Sequence, residues 1–568
     1  MHSHLYMQWE RRISFMKNVK TLIVSTLMFL WGGHTIISHA QVAENHSSKV
    51  GRNLEIFNEI YKMLDLFYVD TLAADTVMQW AIDGMLMKVD PYTSYHPADD
   101  DDLRQMATGK YAGIGSIIRY HKKHDRVIIS EPYENTPSQD AGLKAGDIIL
   151  TIDGKDIKGL MPTKVTDMLR GEAGTTFELC FQRPGEKKPR TARITRRTIQ
   201  LPAIPYYGII DSGIGYINLN SFTSGCAREV RHALLQLVSQ GAKGLILDIR
   251  DNTGGAINEA VDILNLFLPK GVKVVYTKGK QATMNHEYST TTDPIAPDMP
   301  LVVLVNGMSA SSSEIVSGAL QDLDRAVIMG TQTFGKGLVQ SIRDVPYRGE
   351  LKITTGRYYI PSGRCIQAHE YNHDGSSKII ADSLRNTFYT QAGRIVKDGG
   401  GIKPDSIVAN DTLPTMVYDL VQSDIFFDWI TDFAASNRSI AEPGDFRVTD
   451  SIYSDFCNYV VKSDFTYNRR SDEIIQLLRR VAAMEGYLED AEAEMKALEA
   501  KFAPNLQKDL ERMKKSVIPY LENDIIIRYY HQKGTIRHAL PNDKTYRSAI
   551  ELLRNPEAYK AILTAIQK

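Results

Sequence analysis

Between residues 53 and 88, apolar side chains recur at Leu54, Phe57, Ile60, Tyr61, Leu64 and Phe67, then at Val77, Trp80, Ala81, Met85 and Leu86. This is the spacing of one helical face, and it predicts a small helical region ending at Asp90-Pro91-Tyr92. From about Gly109 to Thr198 the rhythm changes to short alternating runs: Ile114 to Tyr120, Val127 to Ser130, Asp147 to Ile152, Thr176 to Gln182 and Thr191 to Arg197. These read as the strands of a compact domain, with a short helix over Pro137 to Leu143 before the turn Lys144-Ala-Gly-Asp147.

From Gly208 to about Ser406 continuous apolar runs alternate with helical patterns. Ile214 to Leu219, Gly244 to Asp248, Leu301 to Val305 and Ala326 to Met329 read as strands; Ala227 to Gln240, Ile257 to Phe267 and Ser312 to Leu323 read as helices. That alternation predicts an α/β layer containing parallel strands. Beyond Thr412 the chain is mainly helical, and Ile474, Leu477, Val481, Met484, Leu488, Ala491, Met495, Leu498 and Phe502 form a heptad seam. Such a seam suits an oligomer or adaptor contact or a hairpin packed on its own chain; Gly486 and Pro504 favour the hairpin.

The full chain has 568 residues, too many for a single core, and its 67 basic and 68 acidic residues leave a net charge of −1. No global field recruits nucleic acid or an anionic membrane. Lys17 and Lys20 precede the apolar run Leu22 to Trp31, and small residues lead to Ser38-His39-Ala40, the order of a secretory signal. The expectation is an exported, periplasmic protein cleaved after Ala40, with an uncleaved signal anchoring it to the inner membrane as the alternative. Met16 is a second candidate start. Cys180, Cys226, Cys365 and Cys457 are far apart and without metal-ligand spacing, which leaves one disulfide open. His369 and His373 have a chelating spacing but sit in a loop-like context, so no metal and no cofactor are expected.

Two segments carry chemistry: Asn306-Gly-Met-Ser-Ala-Ser-Ser-Ser-Glu314 and Phe334-Gly-Lys-Gly-Leu-Val-Gln340. A serine hydroxyl needs a base within hydrogen-bond reach, and neither segment offers histidine. Lys336 can serve if a dry pocket keeps its amine neutral, and the flanking Gly335, Gly337, Phe334 and Leu338 suit a buried turn. On an extended strand Gln340 shares a face with Lys336 and could orient its amine without adding charge. The candidate nucleophiles are Ser309, Ser311, Ser312 and Ser313. A nucleophile just before a helix has neighbouring amides aimed at a developing oxyanion, and the glycine pair of Asp248-Ile-Arg-Asp-Asn-Thr-Gly-Gly255 could add a second donor.

Taken in order, Asp90-Pro-Tyr-Thr-Ser94, Tyr111-Ala-Gly-Ile-Gly115, Gly213-Ile-Gly-Tyr-Ile217, Leu247-Asp-Ile-Arg250 with Gly254-Gly255, Ser309-Ala-Ser-Ser-Ser-Glu314, Gly335-Lys-Gly-Leu-Val-Gln340, Tyr359-Ile-Pro-Ser-Gly363 and Gly401-Ile-Lys-Pro-Asp405 resemble the C-terminal processing peptidases, or tail-specific proteases. The resemblance covers roughly residues 50 to 410. It implies an α/β multidomain protein with a crotonase-like or Clp-protease-like core. The domains would be an upstream segment and signal (1–40), an N-terminal helical region (41–108), a PDZ domain (109–200), a Ser/Lys peptidase core (201–412) and a helical C-terminal extension (413–568).

The same resemblance implies Ser311 as nucleophile, Lys336 as general base and Gln340 as its orienting partner. The amide of Ser312 and one of Gly254 or Gly255 would form the oxyanion hole. Tyr111, Gly113, Ile114 and Gly115 match the PDZ loop that takes a substrate's terminal carboxylate, with Ile117 and Leu143 as pocket walls. The partners would be proteins or peptides with free C-termini. Thr253 stands where many relatives have proline, and Ser312 replaces a common alanine, placing a second hydroxyl beside the site.

Two other readings compete. Gly330-Thr-Gln-Thr-Phe-Gly-Lys336 imitates a phosphate-binding loop, but Gly337 stands where a magnesium-ligating Ser or Thr is needed. A PDZ-bearing adaptor with an inactive core is the non-enzymatic alternative, opposed by the intact Ser311, Lys336 and Gln340.

Overall fold

The computed structural model describes residues 45–98, 102–211, 213–372, 374–409, 412–467 and 469–564. The signal-like segment and His373 lie outside them. Among the described residues no helix is long and apolar enough to cross a membrane. Two compact units are present, divided after Met85.

In the first unit, Asn45 caps the helix His46–Phe67 by accepting from the Ser47 amide, and a second helix covers Ala74–Leu86. Tyr61 joins them by donating to the Ala74 carbonyl at 3.0 Å. The periodicity predicted a buried face, but no residue of the first helix is buried, and Phe67 is 74 % exposed.

The second unit contains three assemblies. The first is a β-domain whose main sheet runs, in spatial order, Ser116–His121, Arg126–Pro132, Ile148–Ile152, Thr176–Gln182 and Arg190–Thr195. All its neighbours are antiparallel, and Ser116–His121 is an edge strand. The helix Pro162–Leu169, not legible as a period in the sequence, buries Val165 and Leu169 against this core.

The second assembly is a six-stranded sheet in the order Tyr206–Asp211, Ile214–Asn218, Gly244–Asp248, Leu301–Val305, Val327–Gly330 and Ser406–Ile407. All pairs after the first are parallel. Strands covered on both faces must be apolar throughout, which explains the unbroken runs Leu245 to Leu247 and Leu301 to Val305. Alternation sends Leu245, Leu247, Leu301, Val303 and Val305 toward the helices Cys226–Ser239, Ile257–Leu264 and Ser312–Asp322. Ile246, Val302 and Leu304 point the other way, onto Tyr546, Ala549, Ile550 and Tyr559 of the C-terminal helices. Tyr559 fixes that contact by donating to the Leu301 carbonyl at 3.1 Å and accepting from the Leu301 amide at 3.0 Å. A further sheet pairs Gly349–Tyr359 with Leu338–Val345, Ser94–His96 and Lys273–Gly279.

The third assembly is helical and has its own core, built around Phe426, Trp429, Phe456, Leu521 and Ile525. The heptad seam is not a continuous helix: Gly486 adopts φ +83° between Arg470–Glu485 and Glu492–Lys501. The two helices are tied by Arg479 to Glu492 and Glu499. Of the seam, Met495 is buried, while Ile474, Leu477, Val481, Met484 and Phe502 are exposed; Ile475, one position off the seam, is the buried residue of the first helix. All four cysteines are free.

Candidate active site

The parallel strand Leu301–Val305 ends in a turn that delivers the serine tract to the helix Ser312–Asp322. Three of its four hydroxyls are engaged. Ser309 donates to the Ile249 carbonyl at 2.8 Å, Ser312 to Gly255 at 2.8 Å and Ser313 to Asn252 at 2.8 Å. Ser311 alone of the four donates its hydroxyl to no group among the described residues; it forms a capping box with Glu314 at the start of the helix Ser312–Asp322 and lines a cleft of about 1080 Å³. Ser311 also has φ +54° and ψ −114°, a conformation that costs a non-glycine residue energy and marks a constrained site. The Ser312 hydroxyl, expected to compete beside the site, instead braces the glycine pair.

Glu314 organises what surrounds this turn. Its side chain is fully buried, and its Oε2 accepts from the amides of Ser311 at 3.0 Å and Lys336 at 2.9 Å. Its Oε1 accepts from the Gly335 amide at 2.8 Å and the Thr333 hydroxyl at 2.6 Å. Burial pushes the Glu314 carboxyl up to about 7, and the four donors oppose that rise. Tyr358 adds a hydrogen bond to the Ser311 carbonyl at 3.2 Å.

Lys336 lines the same cleft as Ser311. Burial draws its amine from the ordinary lysine value down to about 8; the charge of Lys352 acts in the same direction, and Asp90 and Glu314 act against it. The amine lies 4.3 Å from the centroid of the Tyr92 ring, whose hydroxyl bonds to that of Tyr371 at 3.0 Å. No hydrogen bond joins the Lys336 amine to the Ser311 hydroxyl in this arrangement; the amine sits against the Tyr92 ring instead.

Gln340 does not orient Lys336 here. Its amide donates to the Thr354 hydroxyl at 3.2 Å. The departure from strand alternation has a local cause. Lys336 precedes the strand Leu338–Val345, and its partner strand carries an extra residue, Thr355, between the pairs Val339–Gly356 and Gln340–Thr354.

The glycine pair approaches the serine turn closely. A Cβ on Gly254, at φ +102°, would stand 2.8 Å from the Ser311 Cβ and 2.9 Å from the Ser312 nitrogen. The Gly254 amide is taken by the Asn252 side chain at 2.9 Å. Among the described residues the Gly255 amide has no acceptor, and the Ser312 amide, first in its helix, has none within the helix. Those two amides are the free donors.

In the β-domain, the strand Lys110–Gly113 pairs with Arg197–Gln200, so Tyr111 and Gly113 belong to a ladder and not to a free loop. The open part is Ile114-Gly115. The Ile114 carbonyl accepts from the amide and hydroxyl of Ser138, and the Gly115 carbonyl from the Tyr133 amide and the Thr136 hydroxyl. With the carbonyls turned inward, the amides of Ile114 and Gly115 have no acceptor among the described residues. Ile114 and Leu143 are core residues, leaving Ile117 as the exposed apolar side chain on the edge strand. The cleft at Ser311 extends to Arg170, whose guanidinium stands 5.4 Å from the Tyr111 ring.

Sequence reasoning missed the roles of Glu314 and Tyr92, although both fall inside motifs it singled out. A glutamate three residues after a helix-capping serine is a recognisable signal; that its carboxylate also holds the lysine turn is visible only in three dimensions.

The family profile of peptidase family S41 matches residues 213–376, and that of the PDZ domain residues 128–183. A third profile, "Probable PDZ-protease, C-terminal helical domain", matches residues 416–553. A carboxy-terminal-processing protease of Bartonella bacilliformis is 35% identical over 337 residues, 58% of this chain and 76% of its own length. A probable CtpA-like serine protease of Staphylococcus aureus is 34% identical over 319 residues, 55% of this chain and 62% of its own. Among solved structures, the photosystem II D1 C-terminal processing protease is 26% identical, covering 63% of this chain and 94% of its own at a TM-score of 0.34.

Proposed function

The chain belongs to the carboxy-terminal-processing proteases, serine proteases of family S41, and from that premise we propose that it cleaves proteins near their C-termini with Ser311 as nucleophile and Lys336 as general base. The observation that carries this assignment is the inventory of the serine tract. Three hydroxyls are spent on backbone carbonyls, and the fourth lines a cleft shared with a lysine whose amine burial draws down to about 8.

In the reaction, Lys336 swings from the Tyr92 ring to the Ser311 hydroxyl and takes its proton as the oxygen attacks the scissile carbonyl. The amides of Ser312 and Gly255 receive the oxyanion, helped by the N-terminus of the helix Ser312–Asp322. Lys336 then returns the proton to the leaving amine, and the acyl-enzyme is hydrolysed by a water that the same amine activates. Gln340 donates to Thr354 through its amide nitrogen, which leaves its amide oxygen available to accept from Lys336 as the amine moves.

The free amides of Ile114 and Gly115 suit the carboxylate of a chain terminus, and the unpaired edge of Ser116–His121 suits addition of an extended peptide strand. The cleft at Ser311 extends as far as Gly109 and Arg170 of the β-domain, which brings the route to the nucleophile toward this region. Export rests on the sequence pattern of residues 17–40 and is tested by fractionating cells for the processed form.

Incubation with a folded protein bearing a disordered C-terminal tail tests the function. Mass spectrometry should find cuts within the tail for the wild type and none for Ser311→Ala. Amidating the tail's terminus should weaken capture and leave the cut position unchanged. Cleavage by Ser311→Ala at the wild-type rate would overturn the proposal.

A further inference from the structure

Lys352 lies in the strand Gly349–Tyr359, paired with Ser94 on one side and with Ile342 on the other. Directly paired residues share a face, as do residues i and i+2, so Lys352 stands with Ile342, Thr354 and Gln340 on one face of the hairpin. It lines the cleft that also holds Ser311 and Lys336. It is half-buried there, and among the described residues it has neither an acidic partner nor a hydrogen bond.

A second ammonium group left unpaired in a partly dry catalytic cleft needs a reason, because half-buried lysines ordinarily find a carboxylate. The acidic groups nearest the catalytic lysine are already saturated. Asp90 accepts from the amides of Tyr92 and Thr93 at 2.7 and 2.8 Å and from the Thr93 hydroxyl at 3.1 Å. Glu314 accepts from four donors, and Tyr92 and Tyr358 are kept neutral by burial. Further along the cleft stand His286 and Arg343, with Asp102 paired to Arg170 at 3.3 Å. Besides Lys352, the charges that act on the Lys336 amine are the carboxylates of Asp90 and Glu314, and both favour its protonated form.

We propose that Lys352 is a positioning residue that acts by charge: its ammonium group, facing the same cleft, keeps Lys336 in the neutral form needed for general-base catalysis. The repulsion of Lys352 adds to burial in drawing the Lys336 amine down to about 8 and offsets the attraction of Asp90 and Glu314. The same logic holds for any amine base next to a second cation. The proposal rests on Lys336 being the base.

The test follows the rate at which a small uncharged fluorophosphonate labels Ser311 from about pH 6 to 10, so that no substrate charge intervenes. The wild-type rate should rise with a midpoint near 8. Lys352→Gln should move that midpoint up by about half to one pH unit and reach the same plateau, which is a loss of roughly three- to tenfold near pH 7. Lys352→Arg, which keeps the charge, should retain the wild-type midpoint. If the glutamine variant folds poorly, Lys352→Met gives the same readout. A Lys352→Gln midpoint equal to that of the wild type, whatever its plateau, overturns the proposal. Lys336→Ala separates the two claims: a labelled, pH-responsive Lys336→Ala enzyme removes the base assignment and the role of Lys352 together. An inert one, beside an unshifted Lys352→Gln, removes only the role of Lys352.

Discussion

Ser311 and Lys336 are tied through one atom: the Oε2 of Glu314 accepts from both of their amides, at 3.0 and 2.9 Å. The two turns are 25 residues apart in the chain, and the parallel sheet alone would not fix their separation to the tolerance that proton transfer needs. A buried carboxylate between them does. Glu314→Ala should strip four donors of their acceptor, at about 1–3 kcal/mol for each group that water cannot reach, and lower single-turnover cleavage by at least about a hundredfold. Glu314→Gln, which keeps the volume, should melt closer to the wild type yet remain slow; a fast Glu314→Gln enzyme would show that the clamp is dispensable.

The pH dependence has a definite sign. Lys336 must be neutral to act, so kcat/KM should climb with pH through about 8. Glu314, whose carboxyl burial pushes to about 7, should gain a proton below that point and lose acceptor capacity toward the two turns. Two acid-side losses make the profile steeper than one proton below about pH 7, and Glu314→Gln should restore a single-proton slope.

The depressed lysine also bears on stability. Below about 8 the folded protein holds a charged amine that its surroundings disfavour, and the cost is relieved as pH rises from there toward the ordinary lysine value of 10.5. That interval corresponds to at most about 3 kcal/mol. Lys336→Met should therefore raise the melting temperature at pH 7 while abolishing cleavage, and its advantage should shrink by about pH 10. An unchanged or lower melting temperature would mean that the amine is not held against its charge.

Strain at the nucleophile can be measured in the same way. Glycine tolerates φ +54° freely, so Ser311→Gly should be more stable than Ser311→Ala by about 1 kcal/mol or more, although glycine normally destabilises. Denaturant titration of the two inactive proteins compares them directly.

In the PDZ domain, Gly115 has φ +75°, and a Cβ there would stand 2.5 Å from the Thr136 side chain. Gly115→Ala should displace the loop and raise KM for peptides with a free C-terminus by about tenfold or more. Hydrolysis of a small ester that never engages the loop should proceed at the wild-type rate.

The parallel core was legible because both-face burial writes continuous apolar runs: Gly244–Asp248 and Leu301–Val305 fall where the sequence pattern predicts them. The helix Pro162–Leu169 was not, since its two core residues, Val165 and Leu169, leave too short a period to recognise. In the heptad seam the break was legible at Gly486, which favours a hairpin, but which apolar positions the two short helices bury was not, since periodicity records only what a helix could bury. At the site, residue types pointed to the serine turn and the lysine turn. Which serine is free, and that Gln340 bonds to Thr354, depend on where carbonyls and a bulge fall across distant strands, and no local pattern carries that.

The most direct test of the central claim is to treat the wild type, Ser311→Ala and Lys336→Ala with a fluorophosphonate and locate the adduct by tandem mass spectrometry. One adduct per chain is expected on Ser311 in the wild type and none in either variant. An adduct on Ser309, Ser312 or Ser313, or labelling of Lys336→Ala at the wild-type rate, would contradict it.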